Sequence, residues 1–170
     1  LLVVGGSLGS KRMNELMAYH CNRITQMGVQ IVWQCGSLYT KEFLPLQKNN
    51  IHVTPFIDDM TTAYAAADVI ISRAGALAVS ELCQVGKAVL FIPSPNVAEN
   101  HQYKNAMAIA NEAAAVVIEE KELEHRFQSE MDALLTDVEW RAKLGKNIKK
   151  LAKPNATKSI VEQINALVND

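Results

Sequence analysis

Asp68-Val69-Ile70-Ile71-Ser72-Arg73-Ala74-Gly75-Ala76-Leu77-Ala78-Val79-Ser80-Glu81 joins a short apolar run to an Ala/Leu-rich segment. The run is continuous rather than alternating, which predicts a strand buried on both faces. The segment from Ala76 onward predicts a helix, and Gly75 stands at the switch, where a tight strand-to-helix turn asks for backbone freedom. The same alternation recurs along the chain. Strands are expected over residues 1–4, 29–35, 51–54, 68–72, 88–92 and 114–118. Helices are expected over 11–27, 39–47, 60–67, 76–85, 101–111, 122–135, about 139–152 and 156–167. Repeated strand–helix units with right-handed crossovers build a doubly wound α/β fold. Six buried strands suit a Rossmann-like parallel sheet in the order 3-2-1-4-5-6.

The 170 residues suit one domain, taken as residues 1–170, with a proper core. A formal charge of −1 argues against a nucleic-acid partner held by a basic field. Cys21, Cys35 and Cys83 are scattered singly, with no spacing for zinc, and read as reduced thiols of a cytoplasmic protein. No apolar run approaches the roughly 20 residues of a membrane span, and no secretory leader is read. Leu1 falls inside an expected strand without an initiator Met, so the chain reads as a piece that starts at a domain boundary. Lys146, Lys149, Lys150 and Lys153 form a local basic cluster, either a solvated helix face or a contact for phosphate or a membrane surface.

In an open α/β sheet, ligands sit in the crevice outside the carboxyl ends of the strands. A helix beginning there presents unpaired N–H groups and its positive dipole end, a fit for a diphosphate. Ala76, Leu77, Ala78, Val79 and Ser80 supply such amides, and Glu81 farther along the same helix suits a sugar diol. Gly5-Gly6-Ser7-Leu8-Gly9-Ser10 follows the first strand. It reads either as a phosphate loop with Ser7 adding a hydroxyl, or as a tight turn before a capped helix. It matches neither GxGxxG nor GxxxxGK[ST]. After the third strand, Asp58 or Asp59 suits the N-cap of the next helix. Backbone groups of Ile57 suit a base edge, walled by Phe56. After the fifth strand, His101 and Gln102 open a helix, and Gln102 has both the donor and the acceptor a sugar hydroxyl needs. For His101, an exposed helix-start histidine and a ligand contact are both open. Trp33 and Trp140 read as packing aromatics.

Gly5-Gly6-Ser7-x-Gly9, Phe56-Ile57-Asp58-Asp59-Met60, Tyr64, Ala67-Asp68, Arg73-x-Gly75-Ala76-Leu77 with Ser80-Glu81, and Gln102-Tyr103 with Asn105-Ala106 run in order over most of the chain. This ordered set resembles the donor-binding half of the MurG family. Those enzymes transfer N-acetylglucosamine from a UDP donor to lipid I, making lipid II for peptidoglycan. The resemblance implies the C-terminal half of a GT-B glycosyltransferase, with an N-terminal acceptor domain absent from this chain. It implies that Ser7 lies by the diphosphate and that Ile57 reads uracil through its backbone. Ala76, Leu77 and the following turn, through Ala78, Val79 and Ser80, would hold phosphate, and Glu81 the ribose. Gln102, with His101, would contact the sugar hydroxyls, and Arg73 would shape the strand end beside the phosphates. Ala78 stands where the family often has Thr, so one hydroxyl near the phosphate is missing. Leu8 and Ser10 stand where Gln and Ala are frequent, and His101 where some members have Gln.

The reaction so implied is inverting and needs no cofactor. No DxD pair stands at a suitable loop, so amides rather than a metal would neutralise the leaving diphosphate. No catalytic residue is assigned in this chain: the general base and the lipid I surface would belong to the absent domain, leaving the chain alone able to bind UDP-N-acetylglucosamine but not to turn over. The implied location is peripheral, at the cytoplasmic face of the bacterial cell membrane. Competing readings are another UDP-sugar transferase or epimerase, an NAD-dependent oxidoreductase, and a non-catalytic nucleotide-binding module. The oxidoreductase needs GxGxxG after strand one and an acid near the end of strand two, where Cys35-Gly36-Ser37 stands instead.

Overall fold

The computed structural model describes residues 1–169. In chain order the elements are β1 (Leu2–Val4), α1 (Lys11–Gln26), β2 (Ile31–Gln34), α2 (Thr40–Phe43), β3 (Ile51–Thr54), α3 (Met60–Ala66), β4 (Val69–Ser72), α4 (Ala76–Val85), β5 (Ala88–Phe91), α5 (His101–Ala110), β6 (Val116–Val117), α6 (Leu123–Thr136), α7 (Val138–Lys150) and α8 (Ala156–Asn169). The strands form one six-stranded sheet in the order β3-β2-β1-β4-β5-β6, and every pair is parallel. The doubly wound, Rossmann-like expectation holds.

Side chains along a strand point alternately to the two faces, and both faces are covered. Val3, Trp33, Ile71 and Leu90 pack with Met13, Met17 and Ile24 of α1 and Phe127 and Met131 of α6. Leu2, Ile70, Val89 and Phe91 pack with Leu82 of α4, Ala106 and Ile109 of α5 and Ile148 of α7. Double coverage is why the strands lack polar alternation, and burying Val, Ile, Leu or Phe contributes about 1.5–3 kcal/mol each.

Several boundaries follow from local chemistry. Ser10 caps α1 by accepting from the Met13 N–H at 3.4 Å, and Asp59 caps α3 by accepting from the Thr62 N–H at 3.0 Å. The single helix expected over 39–47 is instead broken: α2 is one turn, flanked by 3₁₀ turns at Ser37–Tyr39 and Leu44–Leu46. Pro45 explains the break, since it has no N–H to continue the α-helical ladder. The last strand is shorter than expected, Val116–Val117 against residues 114–118, although Ile118 still donates to the Phe91 carbonyl at 3.0 Å.

The lysines at 146, 149, 150 and 153 are exposed. Lys149 donates to the Gln84 carbonyl and Lys150 to Asn147 Oδ1. Along α8, Ile160, Val161, Ile164, Leu167 and Val168 are all exposed. Among the described residues, no helix is long and apolar enough to cross a membrane.

Candidate nucleotide site at the carboxyl edge of the sheet

β4 ends at Ser72 and α4 begins at Ala76, with Gly75 as an N-cap that offers no side-chain bond. The first helical bond runs from the Val79 N–H to the Gly75 carbonyl at 2.9 Å. The N–H groups of Ala76, Leu77 and Ala78 therefore have no partner within the helix and form the positive end of its dipole. This narrows the expected set: the amides of Val79 and Ser80 belong to the helix, and the Ser80 hydroxyl donates back to the Ala76 carbonyl at 3.0 Å. Gly75 also differs from expectation. Its φ of −63° and ψ of 150° are open to any residue, and a Cβ there would meet no heavy atom within 4 Å. The turn itself therefore does not require a glycine at this position.

Leu77 and Glu81 are four residues apart, hence on one helix face, and both are exposed. The Tyr64 hydroxyl on α3 donates to Glu81 Oε2 at 3.2 Å. Burial first, then the Glu81 charge, pushes the Tyr64 phenol up to about 12. Tyr64 therefore stays a protonated donor that orients the carboxylate at neutral pH. The two residues line a groove of about 570 Å³ between α3 and α4, with Met60, Thr61, Gln84 and Lys87.

The loop after β1 turns tightly, the Gly9 N–H meeting the Gly6 carbonyl at 3.1 Å, and leaves Ser7 exposed at its tip. Gly9 is required here: its φ is +83°, and a Cβ would lie 2.1 Å from the Cys35 carbonyl oxygen. The turn is anchored by residues that sequence reasoning did not single out. Asn14, 1% exposed, donates to the Cys35 carbonyl at 2.8 Å and accepts from Trp33 Nε1 at 2.9 Å. Gln34 donates to the Gly6 carbonyl at 2.9 Å and accepts from the Ile57 N–H at 2.9 Å. A polar residue closing an apolar strand, as in Ile31-Val32-Trp33-Gln34, was the available signal.

The Gln34 bond takes up the Ile57 N–H, so the Ile57 carbonyl is the backbone group left for a base edge; Phe56 beside it is exposed. Gln102 is likewise half committed. Its Oε1 accepts from the Ser94 N–H at 3.0 Å and the Ala74 N–H at 3.3 Å. Only its amide donor remains for a sugar, a correction to the donor-and-acceptor role expected of it. Asn105 donates to the Ala74 carbonyl at 3.1 Å, completing the hold on the turn into α4. His101 is exposed at the start of α5, with Nδ1 3.0 Å from the Ala98 carbonyl. A carbonyl only accepts, so Nδ1 carries the proton and Nε2 is the acceptor of the neutral ring.

Arg73 points inward. Its guanidinium donates to the Ile92 carbonyl at 2.9 Å, Ser10 Oγ at 2.5 Å and Glu120 Oε1 at 2.5 Å. It ties the ends of β4 and β5 to the α1 cap and to the segment after β6. It shapes the strand end as expected, with its donors turned to protein groups. The loops after β1, β3, β4 and β5 are thus locked to one another by buried or half-buried amides and one guanidinium.

A parallel sheet of this order, with an uncapped helix start and an exposed acid on one side of its switch point, defines a Rossmann-like ligand-binding domain. Residues 1–164 match the glycosyltransferase family 28 C-terminal domain, and the chain belongs to that family. It is 50% identical over 169 residues to a UDP-N-acetylglucosamine–N-acetylmuramyl-(pentapeptide) pyrophosphoryl-undecaprenol N-acetylglucosamine transferase of Flavobacterium psychrophilum, covering 99% of this chain and 46% of the relative. It is 52% identical to the protein of the same name from Christiangramia forsetii, covering 100% of this chain and 46% of the relative. The chain therefore spans about half the length of these relatives. The crystal structure of Acinetobacter baumannii MurG superimposes with a TM-score of 0.82 at 32% identity, covering 97% of this chain and 49% of the other. A Staphylococcus aureus MnaA–UDP co-structure shares the fold, with a TM-score of 0.71 at 14% identity, covering 99% of this chain and 45% of the other.

Proposed function

We propose that this chain is the UDP-N-acetylglucosamine-binding domain of a transferase that adds N-acetylglucosamine to lipid I, yielding lipid II for peptidoglycan. The observation that carries this reading is the pairing, on α4, of the partnerless amides of Ala76, Leu77 and Ala78 with the exposed Glu81 carboxylate that Tyr64 holds. The names of the relatives supply the sugar and the acceptor.

In this reading the diphosphate sits against the start of α4, with the Ser7 hydroxyl beside it. The Ile57 carbonyl accepts from the ring N–H of uracil, and Glu81 accepts from the ribose hydroxyls. The Gln102 amide donor and His101 face the N-acetylglucosamine. The 4-hydroxyl of the lipid-linked muramoyl sugar attacks the anomeric carbon and UDP leaves. The bond to the diphosphate oxygen breaks as that oxygen gains charge, and fixed N–H dipoles aimed at it lower the barrier. The base and the lipid-binding surface belong to the portion of the relatives that this chain does not span, and the protein works peripherally at the cytoplasmic face of the cell membrane.

Calorimetric titration with UDP-N-acetylglucosamine tests the reading. Glu81→Ala should weaken binding by about 1.5–3 kcal/mol, the worth of hydrogen bonds to a charged acceptor. UDP-glucose should bind more weakly than UDP-N-acetylglucosamine. Unchanged affinity in Glu81→Ala removes the ribose role, and equal affinity for the two sugars removes the sugar assignment. Transfer of radiolabelled sugar by the 170-residue chain alone would refute the division of labour between domains.

A further inference from the structure

Gln34 is the last residue of β2, in register with Val4 of β1 on one side and Thr54 of β3 on the other. It is 3% exposed. The loops leaving β1 and β3 are separated by the whole of β2, about 10 Å at two inter-strand spacings. One side-chain amide bridges that gap. Its Nε2 donates to the Gly6 carbonyl and its Oε1 accepts from the Ile57 N–H, both at 2.9 Å. The partners fix the orientation of the amide, because a flipped group would set donor against donor and acceptor against acceptor.

We propose that Gln34 is a positioning and specificity-determining residue: it couples the glycine turn to the base-reading loop and sets which pyrimidine the site accepts. This rests on the donor-binding reading above. By consuming the Ile57 N–H, Gln34 leaves an acceptor, the Ile57 carbonyl, as the backbone group presented there. Uracil carries a ring N–H at the matching edge and satisfies that acceptor. Cytosine carries a lone pair on the same ring nitrogen and meets the carbonyl acceptor to acceptor. The Ile57 carbonyl makes the discriminating contact, and Gln34, which touches no part of the ligand, keeps the Ile57 N–H from offering a donor that the cytosine ring nitrogen would accept. Through its other arm, the same amide holds the Gly6 carbonyl, and with it the turn that presents Ser7 to the diphosphate.

Two substitutions separate the arms, with dissociation constants for UDP, CDP and UMP measured calorimetrically on the purified protein. Gln34→Met keeps the volume but loses both bonds and frees the Ile57 N–H. UDP should bind about tenfold more weakly while CDP loses less, so the UDP-over-CDP preference shrinks by about threefold or more. Gln34→Glu keeps an acceptor for the Ile57 N–H but sets a carboxylate against the Gly6 carbonyl. It should keep the UDP-over-CDP preference and weaken UDP more than UMP, because the disturbance falls on the diphosphate side. Unchanged affinity and preference in Gln34→Met, with UDP still bound by the unsubstituted protein, overturns this inference alone. So does an equal loss for all three nucleotides in both variants, the mark of a purely structural residue. Failure of the unsubstituted protein to bind UDP overturns the donor reading and this inference together. If a thermal melt shows Gln34→Met unfolded, the UDP-to-UMP comparison in Gln34→Glu still decides.

Discussion

Replacing Arg73 with Met keeps most of the side-chain volume and removes a guanidinium with three partners. The side chains of Arg73 and Glu120 are 13% and 20% exposed, with their charged atoms 2.5 Å apart. The other bonds reach the Ile92 carbonyl and the hydroxyl that caps α1. Removing one member of a buried pair costs about 3–5 kcal/mol, chiefly because the remaining charge is left uncompensated. Glu120 retains some access to water, so the lower end applies, about 3 kcal/mol. For a domain of this size, that lowers the melting temperature by about 6–12 °C. Glu120→Gln, which keeps an acceptor for the guanidinium, should cost less than half as much. Thermal and urea unfolding followed by circular dichroism measure both variants, and Arg73→Met combined with Glu120→Gln gives the coupling. The loss should be the same with and without nucleotide. A melting temperature within about 2 °C of the parent, an effect below 1 kcal/mol at this size, would refute the clamp. If UDP affinity collapsed at the same time, the guanidinium would be serving a ligand.

Three further outcomes are expected. The Tyr64 phenol is raised from 10 to about 12, first by burial and then by Glu81. A raised acid contributes stability that is complete below its unfolded value and is lost as pH rises through the folded one. Unfolding scans should therefore show stability falling between about pH 10 and about pH 12, and Glu81→Gln should bring the tyrosinate absorbance transition lower; a transition unmoved in Glu81→Gln would show that the carboxylate does not act on the phenol. Asp59 is held below its ordinary 3.8 by bonds from the Thr62 hydroxyl and N–H. Its contribution is present above that value and fades as pH falls through the depressed one, so Asp59→Asn should flatten the acid limb of the melting curve while keeping α3 capped. Gly9→Ala forces a Cβ against the Cys35 carbonyl at a positive φ. It should cost about 1–3 kcal/mol in urea unfolding and weaken UDP binding, and a neutral substitution would show that the turn is not held as described.

What the chain's local chemistry determined on its own is the fold. Short continuous apolar runs bounded by turn residues read as strands covered on both faces. Ser10 and Asp59 mark helix starts, and α4 falls at residues 76–85 as its composition predicts. Even the break at Pro45 is a local rule, outweighed in reading by the helical pattern around it. The loops that gather at the carboxyl edge were legible for the same reason, since strand order decides which turns share an edge. What only the tertiary structure decided is how polar side chains divide between ligand and scaffold. Gln102 and the amide of Ile57 read as free groups in sequence, yet the Ile57 N–H is taken by Gln34, 23 positions away, and Gln102 Oε1 by Ser94 and Ala74, 8 and 28 positions away; the three partners of Arg73 lie 19 to 63 positions from it. Gln34 lies 28 residues from one partner and 23 from the other. A buried amide or guanidinium must find a partner wherever the packed chain places one, and that choice is made across elements, where no local pattern records it.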